Sequence, residues 1–289
     1  MADSRKNVDG NIISKKYSIL RQRWVSYPYA DKLIDRMEEL LEYPKSPRMP
    51  CMLIYGSSGM GKTMIAQKFL RSHQPYYNDD KTILYYPVVY ALSPPLPDED
   101  SLYNIILHSI NAPVRSYGST RGLRDIAFRV LEKVKCKMVL IDDINNLLIG
   151  TARQQGVFLN AIRYMTATLE TPIVSLGINS ALHAISIDDQ LSNRFEANEL
   201  SKWKLGNDLA SFIFTLADVY EVEFDDSVNI DDLMREVLIQ SDGVLGRIVK
   251  IIQTVSINAH KDKNHIITLD MVKQVHNEPP LVSMKSSQR

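Results

Sequence analysis

The sequence predicts an α/β fold, a parallel sheet flanked by helices, followed by a smaller all-helical domain. Three observations lead there. Short apolar runs of strand length alternate with helical patterns up to about Leu200. A glycine-rich turn joins one of those runs directly to a helix. Beyond Leu200 four helical patterns follow one another with no convincing buried strand among them.

At 289 residues the chain has room for one large domain and a smaller one, domains usually running to ~100–200 residues. With 45% hydrophobic and 24% charged residues it reads as a globular protein. Its formal net charge is zero, so any contact with nucleic acid has to come from a local basic patch. Cys51 and Cys136 each sit in an apolar run and read as reduced core residues, with no disulfide framework and no zinc-ligand spacing. The first residues lack an apolar signal core, and no apolar run approaches the ~20 residues a membrane span needs. The expectation is a cytoplasmic protein without membrane contact.

Residues 1–45 read as a basic arm and a first helix. Arg5, Lys6, Lys15, Lys16, Arg21 and Arg23 face only Asp3 and Asp9, as expected of a solvated arm. From Tyr29 to Glu42, Leu33, Ile34, Met37, Leu40 and Leu41 share one helical face, and Pro44, Pro47 and Pro50 end the pattern. Residues 46–200 form the αβα core. Strands are expected at 52–55, 82–91, 138–141 and 172–177, the second interrupted or pushed to an edge by Pro87. Helices are expected near 62–71, 99–110, 122–134 and 155–170. Residues 201–278 form the helical domain, with helices near 206–220, 230–241, 244–260 and 268–277, and 279–289 read as a disordered tail.

The strongest chemical signal is Gly56-Ser57-Ser58-Gly59-Met60-Gly61-Lys62-Thr63. It matches the phosphate-binding P-loop, and it follows an apolar strand and opens a helix, which is the context that gives the motif meaning. Glycines let backbone N–H groups wrap a phosphate, and the helix N-terminus adds partial positive charge. Lys62 is expected on the β/γ-phosphates of ATP and the Thr63 hydroxyl on Mg2+. The second signal is Met138-Val139-Leu140-Ile141-Asp142-Asp143, an apolar strand with two carboxylates at its C-terminal end, where open α/β sheets bind ligands. Alone it is compatible with a strand and a capped turn; placed after a P-loop, it gives Asp142 the Mg2+ and Asp143 the attacking water.

These two motifs resemble those of AAA+ ATPases. Most of that class place Glu where this chain has Asp143, one methylene shorter, so ATP hydrolysis is expected to be slow. The resemblance implies further roles. Gln190-Leu191-Ser192-Asn193-Arg194-Phe195 looks like the segment carrying an arginine finger, with Arg194 reaching the γ-phosphate of a neighbouring subunit; a helix-end surface arginine is the plain alternative. Ser241-Asp242-Gly243-Val244-Leu245-Gly246-Arg247 resembles the start of the sensor-2 helix of a lid domain, with Arg247 on the phosphates. Asn179 is the choice for sensor 1, with Ser175 as runner-up.

Within AAA+ the chain resembles the TniB/TnsC family of transposition regulators over roughly residues 20–200. The pieces are Arg23-Trp24, Leu41-Glu42-Tyr43-Pro44, Arg48-Met49-Pro50, Ser93-Pro94-Pro95-Leu96-Pro97-Asp98-Glu99, Asp142-Asp143-Ile144-Asn145-Asn146-Leu147-Leu148 and Asp189-Gln190-Leu191-Ser192-Asn193-Arg194-Phe195-Glu196. It departs from the family at Asp143 and at Asn145 and Asn146, where histidine is common. The resemblance implies a homo-oligomer, ring or helical filament, on duplex DNA that recruits or activates a DDE transposase, with a TniQ-type targeting protein as partner.

The residues say something compatible. Between Asn111 and Lys137, Arg115, Arg121, Arg124, Arg129, Lys133, Lys135 and Lys137 are opposed only by Asp125 and Glu132. Arg115, Arg121 and Arg124, around Gly118 and Gly122, would track a phosphate backbone without reading sequence; a solvated loop and helix face would look the same. Trp24, Tyr27 and Tyr29 read as core or interface aromatics, with packing near an adenine as the alternative. Two other functions fit the same motifs: a helicase or replication loader of the DnaC/IstB kind, and a nucleotide-gated scaffold with negligible hydrolysis.

Overall fold

The structure is a computed structural model and describes residues 14–113, 119–262 and 264–275. They fall into two compact units, one formed by Tyr29–Ser201 and the other by the described residues before Tyr29 together with those from Lys202 onward.

Residues 14–20 form helix α1, which belongs to the second unit. The first unit starts in α2 (Pro28–Leu41), whose proline at the first helical position loses no hydrogen bond. There follow β1 (Cys51–Tyr55), α3 (Lys62–Ser72), the hairpin strands β2 (Tyr76–Tyr77) and β3 (Leu84–Tyr85), and β4 (Val88–Leu92). Then come α4 (Glu99–Ser109), α5 (Thr120–Lys133), β5 (Met138–Asp142), a 3-10 helix over Ile144–Ile149, α6 (Ala152–Leu169) and β6 (Ile173–Gly177). The short helices α7 (Ser180–Ser186) and α8 (Asp189–Ser192) lead into β7 (Phe195–Glu199).

Five strands pair in the order β4-β5-β6-β1-β7, every pairing parallel. The chain leaves β1 for the far edge at β4, walks back through β5 and β6, then passes beyond β1 to β7. Strand β1 therefore lies between two strands that follow it, and the crevice at its C-terminal end is where such sheets take ligands. Leu53, Ala91, Val139, Ile141 and Ile173 share a core with Leu102, Tyr103, Phe128, Phe158 and Met165 of α4, α5 and α6. The alternate positions Met52, Ile54, Leu140, Val174 and Leu176 are equally buried, so both faces of the sheet are covered.

Pro87 splits the run 82–91 into β3 and β4, and β4 is an edge, as a proline in that run leads one to expect. Strand β7 was not foreseen: Phe195-Glu196-Ala197-Asn198-Glu199 is half-exposed or exposed throughout, so its polar residues carry no apolar run. Its charges suit an edge strand, and Glu196 accepts from Arg36 Nε at 2.9 Å.

The second unit carries α9 (Asn207–Val219), α10 (Ile230–Ser241), α11 (Leu245–Lys261) and α12 (Leu269–Lys273). A parallel two-residue pairing of β8 (Glu223–Phe224) with β9 (Ile266–Ile267) was not expected there. Tyr27 is buried against Trp203 and Phe212, with ring centroids 5.1 and 5.9 Å apart, so it is a core aromatic. Gln253 donates to Ile19 O at 2.9 Å, tying α1 to α11. The tail 279–289 lies outside the described residues. Among the described residues no helix is long and apolar enough to cross a membrane.

Candidate functional site

The loop from Gly56 to Gly61 connects the buried β1 to α3. Its first residue has no room for a side chain: a Cβ on Gly56 would lie 2.4 Å from the Leu200 carbonyl oxygen, at a φ of 155°. The Gly56 N–H donates to Gly177 O at 3.3 Å, fastening the loop to the end of β6. Gly59 and Gly61 take left-handed φ values of 80° and 89°, and Gly61 caps α3 with no side chain on its N–H groups. No acidic residue occupies the first turn of α3, so its positive end is uncompensated.

Lys62 is 8% exposed and its Nζ donates to the carbonyls of Gly56 and Ser57, both at 2.9 Å. Burial lowers the ammonium's pKa, against the pull of Asp142 and Asp143. Asp142, the last residue of β5, is 3% exposed. Its Oδ2 accepts from Thr63 Oγ1 at 2.8 Å and from the Tyr90 hydroxyl at 2.9 Å, and its Oδ1 accepts from the Asp143 N–H at 2.9 Å. Two elements 79 residues apart thus meet at one carboxylate. Because Thr63 gives its proton to Asp142, its lone pairs remain for a cation. A hydroxyl and a carboxylate are hard oxygen donors of the kind Mg2+ takes, so these residues fit that ion.

Asp143 is exposed and holds a left-handed backbone, φ 55° and ψ 39°, at the start of the 3-10 helix. Aspartate tolerates that region better than most residues. Partial burial, then the charge of Asp142, raise its carboxyl pKa, while Lys62 opposes the shift. Asn145 Oδ1 accepts from Ile178 N–H at 3.3 Å and Asn146 Nδ2 donates to Ser93 O at 3.3 Å, so the two asparagines tie the ends of β6 and β4 to the turn after β5. Asn179 lies two residues beyond β6, exposed and ahead of α7. Ser175 pairs in register with Ile141 within β6, which puts it on the sheet face away from Asp142.

Other expected residues lie elsewhere. Arg194 O accepts from Cys51 N–H at 2.8 Å, so Arg194 sits beside the first residue of β1, about 13 Å of strand from the phosphate loop. Its Nη1 donates to Thr166 Oγ1 at 3.2 Å and Pro47 O at 3.4 Å. Arg247 is half-exposed in the first turn of α11, in the helical unit. Arg115 lies outside the described residues. Arg121 is exposed in the first turn of α5. Arg124, also expected along a phosphate backbone, has its guanidinium 3.7 Å from Glu99 and 4.8 Å over the Tyr164 ring. Glu99 also accepts from the Tyr103 hydroxyl at 3.1 Å, so Arg124 serves a tie between α4, α5 and α6.

Tyr90 escaped the sequence reading. Leu92 pairs with Asp142, and Tyr90, two residues earlier on the same face, reaches it diagonally. Only the strand register reveals this, and nothing in the run 82–91 marks one tyrosine among several.

The family model described as bacterial TniB protein matches residues 15–205. No curated protein sequence matches the chain. Among solved structures, the Aeropyrum pernix ORC2 protein in ADPNP–ADP complexes superposes with a TM-score of 0.59 and 13% identity, over 90% of this chain and 71% of that one. The Aeropyrum pernix ORC1 protein in complex with DNA gives 0.60 and 14%, over 94% and 69%. Domain III of the Thermotoga maritima replication initiation protein DnaA gives 0.51 and 16%, over 86% and 91%. At these identities the likeness is one of fold, and the fold is that of AAA+ ATPases.

Proposed function

The chain belongs to the bacterial TniB family, and from that premise we propose that it is an ATP-dependent, DNA-binding regulator of transposition. In this reading it oligomerises on duplex DNA and recruits or activates a DDE transposase, with a TniQ-type protein choosing the target. The observation that carries the ATPase part is the junction at Asp142, where the Thr63 hydroxyl and a buried carboxylate converge beside the Lys62 ammonium. Phosphate oxygens would take over Lys62 from the carbonyls of Gly56 and Ser57. Bound Mg2+, held through Thr63 and Asp142, would supply charge neutralisation to the phosphates.

Asp143 orients or deprotonates the attacking water. Its raised pKa favours proton acceptance, while its short side chain keeps turnover slow. Asn179, at the mouth of β6, is the polar partner of the γ-phosphate. Arg194, at the other end of the sheet from its own phosphate loop, acts on the nucleotide of a neighbouring subunit after leaving Thr166 and Pro47. Arg247 takes the sensor-2 role that the resemblance gives it. Arg121 and Arg115 remain as backbone contacts; Arg124 does not, because its charge is already partnered. The short Asp143 also favours a second reading, a nucleotide-gated scaffold that hardly hydrolyses.

Imaging of the full chain with duplex DNA and a non-hydrolysable ATP analogue tests the assembly, and ATP turnover with and without DNA tests the enzyme. Rings or filaments that need both ligands, with measurable turnover, are expected. Assembly without turnover would select the scaffold. A protein that binds neither ligand would sink the proposal.

A further inference from the structure

Asp142 is the fixed point of the site, and what fixes it is not confined to the two motifs. The torsion that turns an aspartate carboxylate is broad, so hydrogen-bond donors set its orientation. Here Asp143 N–H holds Oδ1, and Thr63 and Tyr90 share Oδ2. Tyr90 comes from the edge strand β4, is half-buried, and approaches across the strand pair. The ladder continues past it, Ser93 N–H donating to Asp142 O at 2.7 Å, so the edge strand is locked to β5 on both sides of the carboxylate. Thr63 has a single proton, and it stays on Asp142 only while that oxygen faces it.

We infer that Tyr90 is a positioning residue for the cation site, its hydroxyl holding Asp142 in the orientation that leaves Thr63 open to Mg2+. This rests on the nucleotide-binding reading above. Without the phenol, Oδ2 keeps one donor, the carboxylate samples other orientations, and a smaller fraction of the protein is ready for the cation. Nucleotide held by the loop and Lys62 alone does not depend on Tyr90.

The test compares the full chain with its Tyr90→Phe variant, which keeps the ring and its packing. ADP affinity is measured in EDTA and then across a MgCl2 titration, with Tm as the check on folding. The Mg2+ midpoint should rise roughly tenfold in Tyr90→Phe, the scale of one hydrogen bond to a charged group, while ADP affinity in EDTA and Tm are kept. In an Asp142→Asn background, the further change from Tyr90→Phe should vanish, because the tyrosine acts through that carboxylate. An unchanged or lower midpoint overturns the inference, as does a shift that persists in the Asp142→Asn background. If wild-type protein binds no ADP in either condition, the nucleotide reading falls and this one with it; if it binds ADP with Mg2+ and Tyr90→Phe binds identically, this one falls alone.

Discussion

Replacing Asp143 with Asn separates chemistry from architecture. The backbone at this position is left-handed, φ 55° and ψ 39°, and asparagine shares aspartate's tolerance of that region. The Asp143 N–H still donates to Asp142, so the turn into the 3-10 helix survives. What changes is one negative charge beside Lys62 and one proton acceptor at the mouth of β5. Loss of a general base or water-orienting carboxylate costs about 10²–10⁴ in rate, so single-turnover hydrolysis should fall by that factor while MgATP affinity holds or tightens. The Asp143 pKa is raised, with burial as the largest cause. A carboxylate with a raised folded pKa withdraws stability as pH climbs through that pKa. The variant lacks that loss, so its Tm relative to wild type should rise between acid and neutral pH and then level off. The complementary Asp143→Glu restores the longer carboxylate but places glutamate in a left-handed conformation, a strain of about 1–2 kcal/mol; faster turnover with a lower Tm is expected. Wild-type hydrolysis rates in Asp143→Asn, measured by phosphate release with DNA present, would refute the assignment of the water to this residue.

Lys62→Ala should abolish the Tm rise that saturating MgATP gives wild type, about 2.7 kcal/mol of stabilisation at a hundredfold excess over Kd, while the unliganded Tm moves little; an equal ATP-induced shift in both proteins would remove the phosphate loop from the account. Arg194→Ala should keep nucleotide yet lose ATPase and assembly, and mixing it with Lys62→Ala protein should restore some activity; absence of complementation by two folded variants would return Arg194 to its bonds with Thr166 and Pro47. Arg121→Ala should weaken DNA binding evenly across sequences and lower the salt slope by roughly one unit. Arg124→Ala should instead lower stability by about 1–2 kcal/mol through loss of the Glu99 and Tyr164 contacts, read by chemical denaturation; a changed salt slope with unchanged stability would contradict the inward Arg124.

Residue pattern alone carried the architecture where local chemistry is decisive. Met138–Asp142 is apolar enough to be a buried strand in any context, and the spacing of Gly56, Gly59 and Gly61 before Lys62 admits few backbone paths. Both motifs, and the helices that alternate with the strands, were legible for that reason. Strand β7 was not, because an edge strand needs no apolar run when its outer residues meet water. The direction of Arg124 was not, because an arginine in a basic stretch looks alike whether it faces solvent or lies over Tyr164. The third donor on Asp142 was hidden most completely. Thr63 belongs to a motif that names its partner, whereas Tyr90 reaches Asp142 only through the register of β4 on β5, a pairing between strands separated by two helices. Local sequence determines which groups are present and how the chain leaves each strand; which groups meet at one oxygen is decided by strand order and register, which depend on the packing of the entire sheet.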